Sequence, residues 1–231
     1  MKHVEVIFIE PQFEGNIGSL CRAMKNFGFS DLILVNPPEI GDDTYRLAKH
    51  AKDILESRVI KKSFEESLMD LDYVIGTTGV DTISDKKFLR RTFTPTEASE
   101  KVKDIKGNIG IVFGRENYGL YNEELSQCDM LIKIPTTDDY PIMNVSHAAA
   151  IILYEFSSLE WNEEREVATK KEMMRLHEYV HDILTNVGYP KHKQKKTETM
   201  LARALSRAVV TKYEYSMLMG IIAKIRRKIR K

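Results

Sequence analysis

The stretch from residue 109 to residue 148 decides the fold class, because it holds two apolar runs that each end in a loop of small and polar residues. It reads IGIVFGRENYGL over residues 109–120 and LIKIPTTDDYPIMNVSHA over residues 131–148. The runs at 109–113 and 131–134 are typical of central strands in a parallel sheet, which are buried on both faces. Ligands of open α/β sheets bind at the carboxyl ends of such strands. We therefore expect the two loops to form the functional site.

The rest of the first two thirds of the chain alternates in the same way. An apolar run at 4–9 leads into a loop with two glycines and a helical pattern at 17–27. Asn144 is placed to cap the helix that follows it, and the polar stretch 81–87 is expected to be a mobile loop. This alternation predicts an α/β fold, and the pattern alone would give an ordinary doubly wound sheet. Further strands are expected at 32–35, 59–60 and 73–76, and further helices at 45–55, 64–69, 95–102 and 145–156.

Three ordered motifs carry a resemblance to a known family. They are Asn16, Gly18 and Arg22 in NIGSLCR, Gly114, Glu116, Gly119 and Leu120 in FGRENYGL, and Ile134, Pro135, Asn144 and Ser146 in the last loop. Over residues 3–156 the chain resembles the SPOUT superfamily of RNA methyltransferases, most closely the enzymes that methylate the ribose 2′-hydroxyl of tRNA nucleotide 32. The resemblance implies a parallel sheet with a trefoil knot, S-adenosylmethionine as methyl donor, a homodimer, and cytidine, with uridine as a further base, at the target.

The resemblance also places the cofactor. Glycine lets backbone groups approach a ligand closely and proline fixes a turn, so these residue types suit a ligand cradle. Each loop taken alone is equally compatible with a plain strand-to-helix turn, and three loops in the family's order favour the cradle. The implied cofactor-binding residues are Thr77, Thr78, Gly79, Gly114, Ile134, Pro141, Ile142 and Met143.

Arg22 is the residue we expect to matter most for catalysis. In the family the matching arginine has been assigned to activating the 2′-hydroxyl, sometimes as the base. Because a guanidinium is hardly ever deprotonated in a protein, we predict that Arg22 instead holds the adjacent phosphate and stabilises the developing alkoxide. Glu116 is expected to orient Arg22 or the cofactor, and Asn144 and Ser146 to align the ribose. Asn16 is expected to cap the helix or touch the substrate.

The charge distribution predicts a nucleic-acid partner. Residues 191–231 hold thirteen basic and two acidic residues, a net charge of +11, whereas residues 1–190 hold 22 basic and 32 acidic residues, a net charge of −10. Such asymmetry is typical of an acidic body with a basic arm for a polyanion. We predict a methyltransferase domain over 1–160 and a helical, tRNA-binding extension over 161–231. The expected RNA-binding residues are Lys191, Lys193, Lys195, Lys196, Arg203 and Arg207.

Composition argues against several other classes. No apolar run approaches the roughly 20 residues that span a bilayer, and the first residues lack a signal-peptide pattern, so we expect a cytoplasmic protein. Cys21 and Cys128 have no metal-ligand spacing and are expected to be small buried or half-buried thiols. The run His177 to His181 reads H-E-x-x-H, a zinc pattern. We expect no metal there, because Glu198 as third ligand would need the chain to return across Pro190.

Three alternatives stay open. The first is a 2′-O-methyltransferase of another tRNA or rRNA position, and the second is a non-catalytic RNA-binding module. The third reads the terminal KIRRKIRK as part of an interfacial membrane helix. We attribute the apolar stripe of that helix instead to packing within the extension; it comprises Met217, Leu218, Ile221, Ile222 and Ile225.

Overall fold

A computed structural model describes residues 4–80, 91–162 and 165–229 and places a seven-stranded parallel sheet at the centre of the protein. The strand order is β3-β2-β1-β7-β4-β8-β5, and every neighbouring pair is parallel. The predicted α/β class is thereby confirmed, whereas the trefoil knot stays a prediction and the predicted loop 81–87 lies outside the described residues. The strands are β1 (Val4–Ile9), β2 (Asp31–Val35), β3 (Val59–Lys61), β4 (Tyr73–Thr77), β5 (Thr92–Phe93), β7 (Ile109–Phe113) and β8 (Met130–Ile132).

Helices cover both faces of the sheet. The predicted helix at 45–55 is divided by a 3-10 turn at Lys49–Ala51, where Lys49 takes a positive φ of 52°. Asn144 caps its helix as predicted, because its side chain accepts a hydrogen bond from the backbone N–H of Ser146. The helices are α1 (Glu14–Asn26), α2 (Asp42–Ala48), α3 (Lys52–Glu56), α4 (Phe64–Ser67), α5 (Pro95–Val102), α6 (Asn122–Gln127), α7 (Val145–Ser157), α8 (Lys170–Asn186), α9 (Lys191–Arg207) and α10 (Lys212–Ile229).

Gly18 of the first motif has a packing role. It lies where α1 crosses α2, and a Cβ atom added to it would stand 2.3 Å from the carbonyl oxygen of Thr44. Backbone atoms cannot give way cheaply at that distance. The glycine therefore sets how closely α2 approaches the helix that carries Arg22.

The carboxyl-terminal extension docks at the amino ends of the strands. A short strand β9 (Arg165–Glu166) pairs with β6 (Ile105–Lys106), which directly precedes β7. The hydroxyl of Tyr73, the first residue of β4, donates to the carbonyl of Ser206 at 2.9 Å. In the charged stretch at 162–165, the backbone N–H groups of Asn162 and Arg165 donate to carbonyls of the body. The domain boundary at residue 160 stays a prediction.

Helix α10 is only partly packed. Leu218 lies against a small cluster formed by Ala168, Met173 and Val210. Met217, Ile221 and Ile225 are 56%, 58% and 43% exposed. Our expectation that packing within the extension accounts for the apolar stripe is therefore wrong for these three residues. In the described part of the chain, no helix combines the length and apolar character that crossing a bilayer requires.

Candidate functional site

A cavity of about 290 Å³ lies at the carboxyl ends of the central strands. Its walls come from the loops that follow β4, β7 and β8. All eight residues predicted to hold the cofactor line it, and so does Glu116. Sequence reasoning missed Tyr118 and Thr136, which also line the cavity and lie within the loops it had singled out.

At two glycines of the cavity wall, neighbouring atoms approach too closely to leave room for a side chain. A Cβ atom on Gly114 would stand 2.2 Å from the carbonyl carbon of Gly119, because the loop folds back over it. This fold is a tight hairpin, in which Gly119 donates to the carbonyl of Arg115 at 2.8 Å and takes a positive φ of 63°. A Cβ atom on Gly79 would stand 2.6 Å from Cδ1 of Ile142. Each position therefore accepts only glycine without movement of its neighbours.

A chain of hydrogen bonds joins four of the predicted catalytic residues. The side-chain amide of Asn16 donates to Glu116 at 2.9 Å, and that of Asn144 donates to Oδ1 of Asn16 at 3.1 Å. The hydroxyl of Ser146 donates to Oδ1 of Asn144 at 2.7 Å. Asn16 lies inside α1 and does not cap it, so the capping role we considered is wrong. We call this chain the polar relay.

Glu116 holds the loop that precedes α1. Its carboxylate accepts hydrogen bonds from the backbone N–H of Gln12 at 2.8 Å and of Phe13 at 3.2 Å. Among the described residues no bond joins it to Arg22, so the predicted orienting of Arg22 by Glu116 is not observed. Arg22 lies six residues beyond Asn16 on α1 and is exposed to solvent. Its guanidinium is therefore open to a substrate outside the cavity.

None of the residues predicted to bind RNA lines the cavity. The four lysines at 191, 193, 195 and 196 are exposed at the start of α9. Arg203 is 7% exposed and donates to the carbonyls of Leu125 and Cys128. It fastens α9 to the body, so we no longer count it as an RNA contact. Arg207 is half-buried, and burial, with the charge of Arg91, lowers its pKa.

The H-E-x-x-H pattern resolves into two separate environments. His181 Nδ1 lies 2.9 Å from Oε1 of Glu198, so the return across Pro190 that we considered improbable does occur. His177 is largely buried, which lowers its pKa. Within residues 4–80, 91–162 and 165–229, no group of three metal-ligating side chains comes together. The pair of His181 and Glu198 joins α8 to α9.

Both cysteines are buried thiols, as predicted. Burial raises the pKa of Cys21 and of Cys128 to about 12. A thiol with so high a pKa stays protonated at neutral pH and is a poor nucleophile. Neither belongs to the cavity.

Comparisons with known proteins agree with this architecture. Residues 3–154 match the model of the SpoU rRNA methylase family. The chain is 38% identical to the tRNA (cytidine-2′-O-)-methyltransferase TrmJ of Methanocaldococcus jannaschii, over 94% of this chain and 97% of that one. The crystal structure of TrmJ from Z. mobilis superposes with a TM-score of 0.76 at 24% identity, covering 96% of this chain and 98% of that one.

A third similar protein was solved with its cofactor. It is the SpoU methyltransferase AviRb from Streptomyces viridochromogenes in complex with AdoMet, with a TM-score of 0.53 at 21% identity, covering 68% of this chain and 60% of that one. The family model spans well over half of the chain and includes all three motifs, two of which lie in loops that form the cavity. The resemblance found in the sequence is confirmed: the chain belongs to the SpoU rRNA methylase family.

Proposed function

We propose that the protein is an S-adenosylmethionine-dependent tRNA methyltransferase that acts on the ribose 2′-hydroxyl of nucleotide 32 in the anticodon loop. The observation that carries this proposal is the meeting of three loops from distant parts of the chain around one cavity, with the polar relay at 16, 116, 144 and 146 beside it. The similarity to TrmJ over nearly the whole length supports tRNA and the 2′-hydroxyl. The target base is cytidine, with uridine as a second substrate, and the working compartment is the cytoplasm.

The residues of the cavity fit S-adenosylmethionine. The volume of about 290 Å³ is close to the lower bound of small-molecule sites. Ile134 and Ile142 offer apolar walls for a ring system, and Gly79 and Gly114 contribute no side chains of their own to the lining. When bound, the cofactor supplies a methyl group that is activated by its sulfonium. The protein's remaining contribution is to hold the ribose in the orientation in which its 2′-hydroxyl can react.

The chain's own residues perform that placement. Well-oriented reactants can save roughly 7–11 kcal/mol of a barrier, which makes strong acid–base chemistry less necessary. The polar relay fixes the start of α1 against the start of α7, and we assign Asn144 and Ser146, as members of that relay, to the alignment of the ribose hydroxyl. Arg22, exposed on α1, holds the phosphate next to the reactive ribose and stabilises negative charge on the 2′-oxygen. No metal ion takes part in this scheme.

A substitution at Gly114 tests the cofactor assignment. We expect Gly114→Ala to weaken S-adenosylmethionine binding by about 5- to 150-fold, because the added Cβ would displace the hairpin, and returning it to the cofactor-binding shape would cost about 1–3 kcal/mol of overpacking. Isothermal titration of the cofactor measures the change. Gly220→Ala is the matched control, since a Cβ atom there meets no atom within 4 Å. Equal affinity in the Gly114 variant and the wild type would separate this loop from cofactor binding.

Mapping the product tests the function itself. The purified protein is incubated with labelled S-adenosylmethionine and unmodified tRNA, and nuclease fragments are analysed by mass spectrometry. We expect one 2′-O-methyl group at nucleotide 32. Methylation of another nucleotide would keep the enzyme class and overturn the position. Binding of tRNA without any transfer would favour the non-catalytic RNA-binding module.

We also propose a homodimer through α7. This helix contains only one charged residue, Glu155, and is apolar around most of its circumference. Ile151 and Tyr154 on this helix are nevertheless 37% and 57% exposed, which leaves part of its apolar surface uncovered. A helix of this kind is normally covered. We expect Ile151→Glu to halve the particle mass in light scattering. Met69→Glu, at a position 66% exposed elsewhere, is the control that should leave the mass unchanged.

A further inference from the structure

Arg115 is a buried cation at the start of the hairpin that closes over Gly114. The mechanism described so far gives it no role. Its side chain is only 5% exposed. Nη1 and Nη2 each donate to one carboxylate oxygen of Glu124 at 2.9 Å, and Nε donates to Glu10 at 2.7 Å. The ring of Tyr121 covers the guanidinium, with its centroid 4.0 Å from Cζ. Every polar edge of the guanidinium is thus directed at a specific partner.

Arg115 and its two carboxylate partners come from three segments that meet at the site. Glu10 directly follows β1, in a left-handed backbone conformation with φ of 41°. Glu124 belongs to the first turn of α6 and also accepts from the backbone N–H of Tyr121 at 2.7 Å. Arg115 itself opens the hairpin that closes over Gly114. One side chain therefore ties the cavity hairpin to the segment before α1 and to α6.

Glu116, the next residue, also ties the cavity hairpin to the chain that runs from β1 into α1. Its carboxylate binds the backbone of Gln12 and Phe13 and the side chain of Asn16. Residues 115 and 116 thus form two cross-links of opposite charge between the cavity hairpin and the chain that runs from β1 into α1. A change in either cross-link would shift the cavity relative to the helix that carries Arg22.

We propose that Arg115 is a positioning residue that holds the cavity hairpin in its cofactor-binding shape and in register with α1. This proposal rests on the proposed methyl-transfer function. The fork geometry of arginine is essential to it, because a lysine would keep the charge but could not bridge Glu124 bidentately while also reaching Glu10. Arg115 also lines the cavity, but Glu10 and Glu124 occupy its guanidinium, so we assign it a role through the hairpin and not through contact with a reactant.

Two variants test the proposal. Arg115→Lys keeps the buried charge and removes the fork, and Glu10→Gln weakens the link at a side chain that is 43% exposed and therefore tolerant of change. We expect each to raise the dissociation constant of S-adenosylmethionine and to lower kcat, by about 10- to 100-fold for Arg115→Lys, because misplacement by about 1 Å can cost that much. Thermal unfolding is recorded for every variant, and binding is measured well below the melting temperature.

Arg226→Lys is the matched control. The Nε of Arg226 donates to a carboxylate oxygen of Asp182 at 2.7 Å, and its guanidinium lies over the ring of Tyr179, 4.1 Å from the centroid, but both partners belong to α8 and neither lines the cavity. We expect Arg226→Lys to lower the melting temperature while the dissociation constant of the cofactor stays within twofold of the wild type.

The outcomes separate the two proposals. Unchanged cofactor affinity and kcat in folded Arg115→Lys and Glu10→Gln would overturn the positioning role, and so would an equal loss of affinity in Arg226→Lys. If Arg115→Lys does not fold, Glu10→Gln decides. A wild-type protein that binds the cofactor but methylates no tRNA would overturn the proposed function, while the dissociation constants would still decide the role of Arg115.

Discussion

Replacing Arg22 by alanine should reduce methyl transfer by about 100- to 1,000-fold while cofactor affinity stays nearly the same. The side chain is exposed on α1, and no described residue hydrogen-bonds it, so its loss leaves no buried partner unsatisfied. Removing one preorganised donor to a developing oxyanion costs about 2.7–4 kcal/mol in other enzymes, which sets the expected range. The effect should appear in kcat, because the alkoxide charge exists only in the transition state.

The experiment pairs two readouts. Transfer of labelled methyl to tRNA gives the rate, and titration of S-adenosylmethionine gives the affinity. Arg46→Ala is the control, because this arginine is also on a helix surface, with 62% of its side chain exposed, and pairs with Asp43. Full activity in Arg22→Ala would remove this residue from the mechanism.

Neutralising the start of α9 should weaken tRNA binding and flatten its salt dependence. We expect the combined change of Lys191, Lys193, Lys195 and Lys196 to alanine to lower the slope of log K against log salt by about three, since each phosphate contact contributes about 0.7 to 0.9. Between 50 and 200 mM salt the wild type should then lose about 60-fold more affinity than the variant. Deleting the whole arm is a poorer test, because Arg203, Val209 and Val210 are buried against the body and the extension's own core.

The salt series is recorded by filter binding at fixed temperature and pH. The matching variant with arginine at the same four positions keeps the charge, and its slope should equal that of the wild type. An unchanged slope in the alanine variant would exclude these lysines as phosphate contacts.

The sequence predicted the sheet and the cavity well for a physical reason. Apolar runs mark buried parallel strands, and glycine, proline and asparagine mark the turns after them, so the loops at 77–79, 114–120 and 134–146 could be assigned to one end of the sheet. Their side chains form the cavity because the strands before them are neighbours. Local pattern was sufficient here.

Partners distant in sequence could not be predicted. Arg203 and Lys193 share one helix and one charge, yet Arg203 is buried against two backbone carbonyls of the body whereas Lys193 is exposed. His181 meets Glu198 only because α8 and α9 turn back on each other. The fork of Arg115 joins residues 105 positions apart. Such contacts depend on tertiary packing, which helical periodicity and composition do not predict.

The docking of the extension at the amino ends of the strands places this contact away from the cavity. The cavity opens at the carboxyl end of β4, whereas Tyr73 at the amino end of β4 binds Ser206 of the extension, so five residues of strand, about 17 Å, lie between the cavity and this contact. Under the proposed function, an RNA that contacts both the cavity and the lysines of α9 must be long enough to reach both. We therefore expect the length of an RNA, in addition to its base sequence, to contribute to its selection.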